Sequence, residues 1–294
     1  MQNSEAVLHS DRLAITIDQA HFLIRDRFDH TTLGDGSLDQ SHFQINIQPQ
    51  ARNLGIATEA CHLLFADYFK ERPISASFSS DNSAAIALCK KLGFTPVSNA
   101  RNTITASCQN KKHSNHHEQD LITEKLQALG ISKDMTAHLS IHFRSCRLIT
   151  TGDDMFSRPC RMHPTTWKAF EHMINAAYQD GIQLDVVSAY RDYAYQADLI
   201  LNKLNKGQPI HDILQVNAPP GYSEHHSGRA LDLSTPGFEP LSEAFEDSAA
   251  FNWLCNNAKQ HGFRMSYPRD NMDGIIYEPW HWCYQSTLIE NKHG

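Results

Sequence analysis

An α+β chain of two domains is predicted for this 294-residue sequence, an α/β domain first and an α+β domain with a small antiparallel sheet second. Three observations predict it. A strongly polar stretch from Ser107 to Asp120 separates two regions that both carry apolar periodicity, and it reads as a linker. Strand and helix patterns follow that stretch without a regular β-α-β repeat. The length, finally, suffices for two separate hydrophobic cores. The resulting boundaries are 1–106, 107–120 and 121–294, and no internal repeat relates the halves.

In the first half, His42-Phe43-Gln44-Ile45-Asn46-Ile47 alternates as a strand does. Ala57, Cys61, Leu64, Phe65 and Tyr68 recur at helical spacing. A second helix is predicted from Ser83 to Leu92, with Ala85, Leu88, Cys89 and Leu92 on one face, Asp81-Asn82 as its N-cap and Gly93 as its stop. Between strand and first helix lies Arg52-Asn53-Leu54-Gly55-Ile56-Ala57, a turn able to aim backbone N–H groups at a pyrophosphate.

In the second half, Ile122, Leu126 and Leu129 predict a short helix ending at Gly130. Trp167, Phe170, Ile174 and Ala177 mark another, begun near Pro164 and stopped by Asp180-Gly181. Ile182, Leu184, Val186 and Ser188 alternate as a strand that delivers Tyr190-Arg191 at its end. Ala194, Ala197, Leu201 and Leu204 make the next helix, and Phe251, Leu254, Cys255 and Ala258 a later one closed by Gly262.

Composition narrows the function classes. The formal net charge is −7, without a Lys/Arg-rich stripe, so nucleic-acid binding has little electrostatic support. No apolar run reaches the ~20 residues that span a bilayer, and Met1–Glu5 lacks a basic region followed by an apolar stretch. Seven scattered cysteines without a Cys-x-x-Cys pair read as reduced thiols. A soluble cytoplasmic protein without a membrane partner is expected; its oligomeric state is not legible.

Two fragments carry metal-site chemistry. His225 and Asp232 stand seven residues apart, and Glu278 precedes His281 by three. Two imidazoles and one carboxylate around an open position form a catalytic zinc shell, and a further glutamate is the general base such a site requires. Leu231 and Leu233 alternate with Ala230, Asp232 and Ser234, so a strand here buries the leucines and turns Asp232 to a cleft. Gly228 permits a sharp bend before that strand, and Ala230 leaves room beside Asp232. His226, next to His225, is an alternative ligand. Arg191 is a cation for a developing oxyanion or for a substrate carboxylate.

Ser188-Ala189-Tyr190-Arg191, Tyr195-Gln196, Ser223-x-His225-x-x-Gly228-x-Ala230-x-Asp232 and Glu278-Pro279-Trp280-His281-Trp282, with Gly262-Phe263-x-x-Ser266-Tyr267-Pro268, resemble the VanY-like D-alanyl-D-alanine carboxypeptidase family of zinc peptidases over Arg161–Tyr284. The resemblance implies Zn²⁺ on His225, Asp232 and His281, favouring His225 over His226. It implies Glu278 as catalytic base, Arg191 at the substrate carbonyl, and Ser188, Tyr190, Gln196 and Ser223 along the substrate pocket. The implied reaction releases D-alanine from a peptidoglycan stem peptide, precursor or muropeptide. A D,D- or an L,D-bond fits equally, and an endopeptidase of the same chemistry stands beside the carboxypeptidase. Where the family usually has Arg after the final His-Trp pair, this chain has Cys283, a thiol expected close to zinc and open to oxidation.

Leu8-His9-Ser10-Asp11-Arg12-Leu13 and Asn82-Ser83-Ala84-Ala85-Ile86-Ala87-Leu88 through Leu92-Gly93-Phe94 are similar to the opening strand and the closing helix and strand of the GNAT acetyltransferase superfamily, over about residues 7–105. The resemblance implies acetyl-CoA at Arg52, Asn53, Leu54, Gly55, Ile56 and Ala57, with Asn82 near the cofactor. About thirty residues separate the opening strand from the His42 strand, fewer than two helices and two strands need, so the acceptor-binding part is shortened. Acetyl transfer with a muropeptide-recognising second half, CoA binding without transfer, and a structural or dimerising module are the readings for this domain.

Overall fold

The computed structural model describes residues 6–10, 12–18, 20–39, 42–67, 74–100, 103–108 and 117–285. The chain divides into two units, Met1–Leu121 and Ile122–Gly294. The polar segment predicted over 107–120 is shorter at both ends: a strand runs through Cys108 and a helix starts at His117, with 109–116 outside the described residues. Glu118 is the physical reason for the early helix start, since it is fully buried within 3.2 Å of Arg12. Tyr68 and Asp11 also lie outside the described residues. Among those described, no helix is long and apolar enough to cross a membrane.

The first unit contains strands β1 (Ala6–His9), β2 (Leu13–Asp18), β3 (His21–Asp26), β4 (Thr32–Asp39) and β5 (His42–Ile47), then helix α1 (Ile56–Asp67), β6 (Ile74–Ser79), α2 (Ser83–Lys91), β7 (Thr95–Ala100) and β8 (Thr103–Cys108). They build one sheet in the order β1-β2-β3-β4-β5-β6-β8-β7, parallel only between β5 and β6. Period-2 burial sends Leu13, Ile15 and Ile17 of β2 and Phe22 and Ile24 of β3 into a core with Ala60, Leu63 and Leu64 of α1. The short stretch ahead of the His42 strand takes a concrete form, an antiparallel meander of β2, β3 and β4. The Leu8–Leu13 segment is not one strand. It bends between β1 and β2, because Ser10 N–H donates to Leu13 O at 3.0 Å and the Ser10 hydroxyl donates to buried Glu59 at 2.6 Å.

The second unit opens inside α3 (His117–Ala128), whose residues up to Leu121 belong to the first unit. It continues with β9 (Ile149–Asp153), β10 (Pro159–Met162), α4 (Pro164–Gln179), β11 (Asp185–Ser188), α5 (Tyr193–Leu204), α6 (Ile210–Val216), β12 (Ala230–Ser234), α7 (Ala249–Asn257), β13 (Phe263–Met265) and β14 (His281–Tyr284). Four of the strands form an antiparallel sheet in the order β11-β12-β14-β13, and β9 pairs with β10. The apolar face of α4, carrying Phe170, Met173 and Ala177, packs on Leu231, Leu233, Phe263 and Trp282 of that sheet and on Trp253 and Leu254 of α7. The strand predicted from Ile182 begins three residues later. Ile182 N–H still donates to Ala177 O at 2.9 Å around Gly181, whose φ is 76°, so Ile182 belongs to the C-terminal turn of α4.

Candidate metal centre

The register of the small sheet assembles the site. On β12, Asp232 lies opposite Ser188 of β11 on one side and His281 of β14 on the other. His225 comes from a tight 3₁₀ turn, Glu224–Ser227, that Gly228 closes at φ 69°. A Cβ at Gly228 would press on the His163 backbone at 3.0 Å, so glycine is required for space as well as conformation. Ligand atoms of His225, Asp232 and His281 all fall within 4.8 Å of one another, and all three residues are buried.

Each imidazole is oriented from behind. His225 Nδ1 donates to Ala189 O at 2.6 Å, which leaves Nε2 facing Asp232 Oδ2 at 3.2 Å. His281 contacts Glu224 Oε2 at 2.9 Å through Nε2 and Asp232 Oδ1 at 3.1 Å through Nδ1. A carboxylate behind a ligating histidine fixes its ring and raises its basicity. His226 is used up by backbone: Nδ1 donates to Arg191 O at 2.7 Å and Nε2 accepts from Gly221 N–H at 3.1 Å. Arg191 donates through Nε to Ser188 Oγ at 2.8 Å and pairs through Nη2 with Asp232 Oδ2.

The charges follow from this geometry. Burial, reinforced by Arg191, lowers His225 to about 4, so its ring is neutral and able to ligate. Burial also opposes charge on His281, but its hydrogen bonds to Asp232 and Glu224 outweigh this and lift it to about 10. Asp232 and Glu224 are held well below the usual carboxylate range: burial works against both, and His225 with Arg191, and His281, respectively, overcome it. Glu278 behaves oppositely. Burial raises its carboxyl to about 7, although its Oε2 is 3.7 Å from His281 Nδ1. A base poised near neutrality in a cleft is what proton transfer needs. Cys283 is buried and its thiol is pushed up by that burial, so it is held in the less reactive protonated form.

A cleft of about 240 Å³ opens on the cluster, lined by Arg191, Gln196, Ser223 and Glu278 among others. Gln196 is 1% exposed; its Nε2 donates to Ala218 O at 2.8 Å, and its Oε1 meets no partner. Ser188 and Tyr190 do not line this cleft. Both line an adjoining cavity that also touches Arg191, with Arg161 stacked on Tyr190 at 4.9 Å. Sequence reasoning missed Glu224, Lys203, Leu241 and Tyr267, of which the last three share the cleft. Glu224 stands inside the recognised motif, but no spacing rule marks an acid beside a histidine as its support.

The sequence model of the VanY D-alanyl-D-alanine carboxypeptidase family matches residues 159–287, a span holding all three donors and Glu278. The second half of this chain carries a VanY-type domain. That domain is similar to YodJ of Bacillus subtilis (strain 168), at 39% identity over 121 residues, 40% of this chain and 43% of that protein. It is also similar to a D-alanyl-D-alanine carboxypeptidase of Enterococcus faecium, at 31% over 131 residues, 42% of this chain and 39% of that protein. The chain thus spans less than half the length of these two curated relatives. Among solved structures, the LdcB LD-carboxypeptidase matches the VanY-type half at 31% identity, over 49% of this chain and 70% of that one, with a TM-score of 0.44.

In the first unit, Arg52 follows a 3₁₀ turn, Pro49–Ala51, and its Nε donates to Ile47 O at 3.0 Å. Asn53 and Gly55 take positive φ, 61° and 79°, before α1 begins at Ile56 and continues through Ala57. Leu54 O accepts from Arg12 at 3.0 Å. Asn82 caps α2, accepting from Ala85 N–H at 3.0 Å, and lines a cavity of about 320 Å³ with Ile45 of β5 and Phe78 of β6. The Arg52–Ala57 turn does not line that cavity.

Proposed function

We propose that the VanY-type domain is a zinc-dependent carboxypeptidase that removes the terminal D-alanine from peptidoglycan stem peptides or their precursors. The observation carrying this reading is the buried His225–Asp232–His281 cluster, with Glu278 3.7 Å from His281 on one cleft. The donor set suits zinc: two imidazoles and one carboxylate, with His225 and His281 each held from behind. A zinc ion held there supplies a Lewis acid and lowers the pKa of water.

The chain's own residues do the rest. Glu278 takes the proton of the attacking water and returns it to the leaving amine from its place beside His281 on the cleft. Arg191, fixed by Ser188 and Asp232, turns its guanidinium to the carbonyl oxygen as charge develops. Ser223 and Gln196 line the cleft as polar contacts for the peptide. The test is zinc content together with D-alanine release from tetrapeptide and pentapeptide muropeptides, Glu278→Ala serving as control. Zinc binding without cleavage of either peptide refutes the reading, and the peptide preferred sorts L,D from D,D specificity.

A second reading concerns the first unit, where the cavity between β5 and β6 lies beside the N-terminus of α2. We infer that it takes the apolar arm of acetyl-CoA, with the free amides that begin α1 available to the pyrophosphate. Calorimetric titration with acetyl-CoA tests it, and no binding up to millimolar ligand assigns the unit a structural role.

A further inference from the structure

Leu241 lines the cleft of the metal cluster in a backbone conformation that leucine avoids, at φ 56°. It follows Pro240 in a turn, where a positive φ ordinarily selects glycine. The other non-glycine residues at positive φ among those described are His30, Asn53, Ser157 and Asp270, all polar. Leu241 alone in that set carries a hydrocarbon side chain. Burial does not compensate for the conformation, because the residue remains 48% exposed. The segment that follows holds the turn: Ser242 caps a 3₁₀ helix through Ala244 N–H at 3.3 Å, and Phe245 is buried in the core. Strain maintained by its surroundings at the edge of a site is a mark of function.

A second apolar side chain reaches the same cleft from a different loop. Ile276 is 37% exposed, and its segment is fixed by Ile276 N–H donating to Gln215 O at 2.9 Å and Asn271 Nδ2 donating to Ile275 O at 2.7 Å. Two exposed hydrocarbon groups therefore face a cleft that also holds Arg191 and Glu278.

We propose that Leu241 is a specificity-determining residue, held in its strained turn to form, with Ile276, an apolar wall for a small hydrocarbon side chain beside the bond that is cut. This rests on the carboxypeptidase reading and names what that site selects: a methyl-bearing residue over glycine. The contact is a packing contact, so its loss acts on discrimination and leaves the metal cluster alone.

Leu241→Gly and Leu241→Asn both suit a positive φ and test it together. Each should raise the melting temperature by about 2–4 °C, the response expected when strain of this order is relieved in a domain of this size, with zinc content unchanged. On matched peptides ending in D-alanine or glycine, each should lower kcat/KM for the D-alanine peptide about tenfold and change the glycine peptide less than twofold. Leu241→Met, which keeps both strain and hydrocarbon, should stay within about threefold of wild type on both. Equal losses on the two peptides, no loss, or a fall in melting temperature for both Gly and Asn variants overturns the proposal. If wild type cleaves neither peptide, the carboxypeptidase reading has failed, and calorimetry of the two peptides on zinc-loaded protein decides. A D-alanine preference present in wild type and lost in both variants supports the wall; no preference in wild type overturns it.

Discussion

Glu278→Gln should abolish turnover and, in the zinc-free protein, make the second unit more stable at pH 8 while leaving it unchanged at pH 4.5. The Glu278 side chain is 12% exposed, and burial raises its carboxyl from 4.5 to about 7. Below pH 4.5 the carboxyl is protonated in folded and unfolded chains alike, so it makes no difference to stability. Between 4.5 and 7 the unfolded chain gives up its proton first, and the folded state loses stability as pH rises; above 7 the loss is complete. A shift of this size corresponds to about 3 kcal/mol, and allowing for partial access of water, about 2–3 kcal/mol should be recovered by the isosteric amide. At about 2–4 °C per kcal/mol for a unit of this size, the variant should melt about 4–12 °C above wild type at pH 8. Calorimetric scans of chelator-treated protein from pH 4.5 to 8.5 measure the difference directly. A difference constant across that range, or a wild type more stable at pH 8, refutes the desolvated carboxyl and with it the poised base.

Glu224→Gln keeps the side-chain shape but removes the charge behind His281, and should weaken zinc binding about 10–100-fold in chelator competition. Zinc uptake followed by calorimetry in buffers of different ionisation enthalpy should release about two protons at pH 6, from His281 and Glu278, and about one at pH 8, from His281. In the first unit, Arg12→Met removes the cation facing Glu59 and Glu118, buried carboxylates that Arg12 approaches to 2.6 and 3.2 Å. It should destabilise that unit by about 3–5 kcal/mol in denaturant titrations.

The parts of the structure that were legible in the sequence depend on local repetition or on a rigid spacing. Trp167, Phe170 and Ala177 mark α4 because a helix that packs on a sheet must repeat its apolar face. Asp232 could be placed on a cleft-facing strand because leucines alternate with it, and β12 spans Ala230–Ser234. What escaped was set by tertiary contact. Glu118 starts α3 inside a polar run because it pairs with Arg12, more than a hundred positions away. Ile182 reads as the first residue of a strand, yet its amide completes the turn of α4. Tyr190 and Arg191 are adjacent in sequence and share one cavity, yet Arg191 also reaches the metal cleft and Tyr190 does not, a difference the motif does not encode. Glu224 and Leu241 are legible only once the metal cluster and the backbone dihedrals are known.

The charge balance of the cluster explains why these particular residues are buried together. Asp232, Glu224 and Glu278 bring three carboxylates into a region where Arg191 is the paired guanidinium; Arg264, 3.7 Å from Glu224, is 58% exposed and is shielded by water. With both ligand histidines neutral, the cluster would hold two negative charges more than it can balance. Protons answer that excess in the folded chain: hydrogen bonds to Asp232 and Glu224 lift His281 to about 10, burial lifts Glu278 to about 7, and Asp232 and Glu224 stay ionised. The two groups that take up the protons are therefore those that the proposed function makes a ligand, which must give one up for a dication, and a base, which must be free to accept one. On the proposed reading, a divalent ion would satisfy the same excess with one particle and release both groups, so the electrostatics that favour a metal would also free Glu278 to act as base. Replacing Glu224 with a neutral residue would reduce the excess to one charge, and the site would then hold its metal less tightly even with its three donors intact.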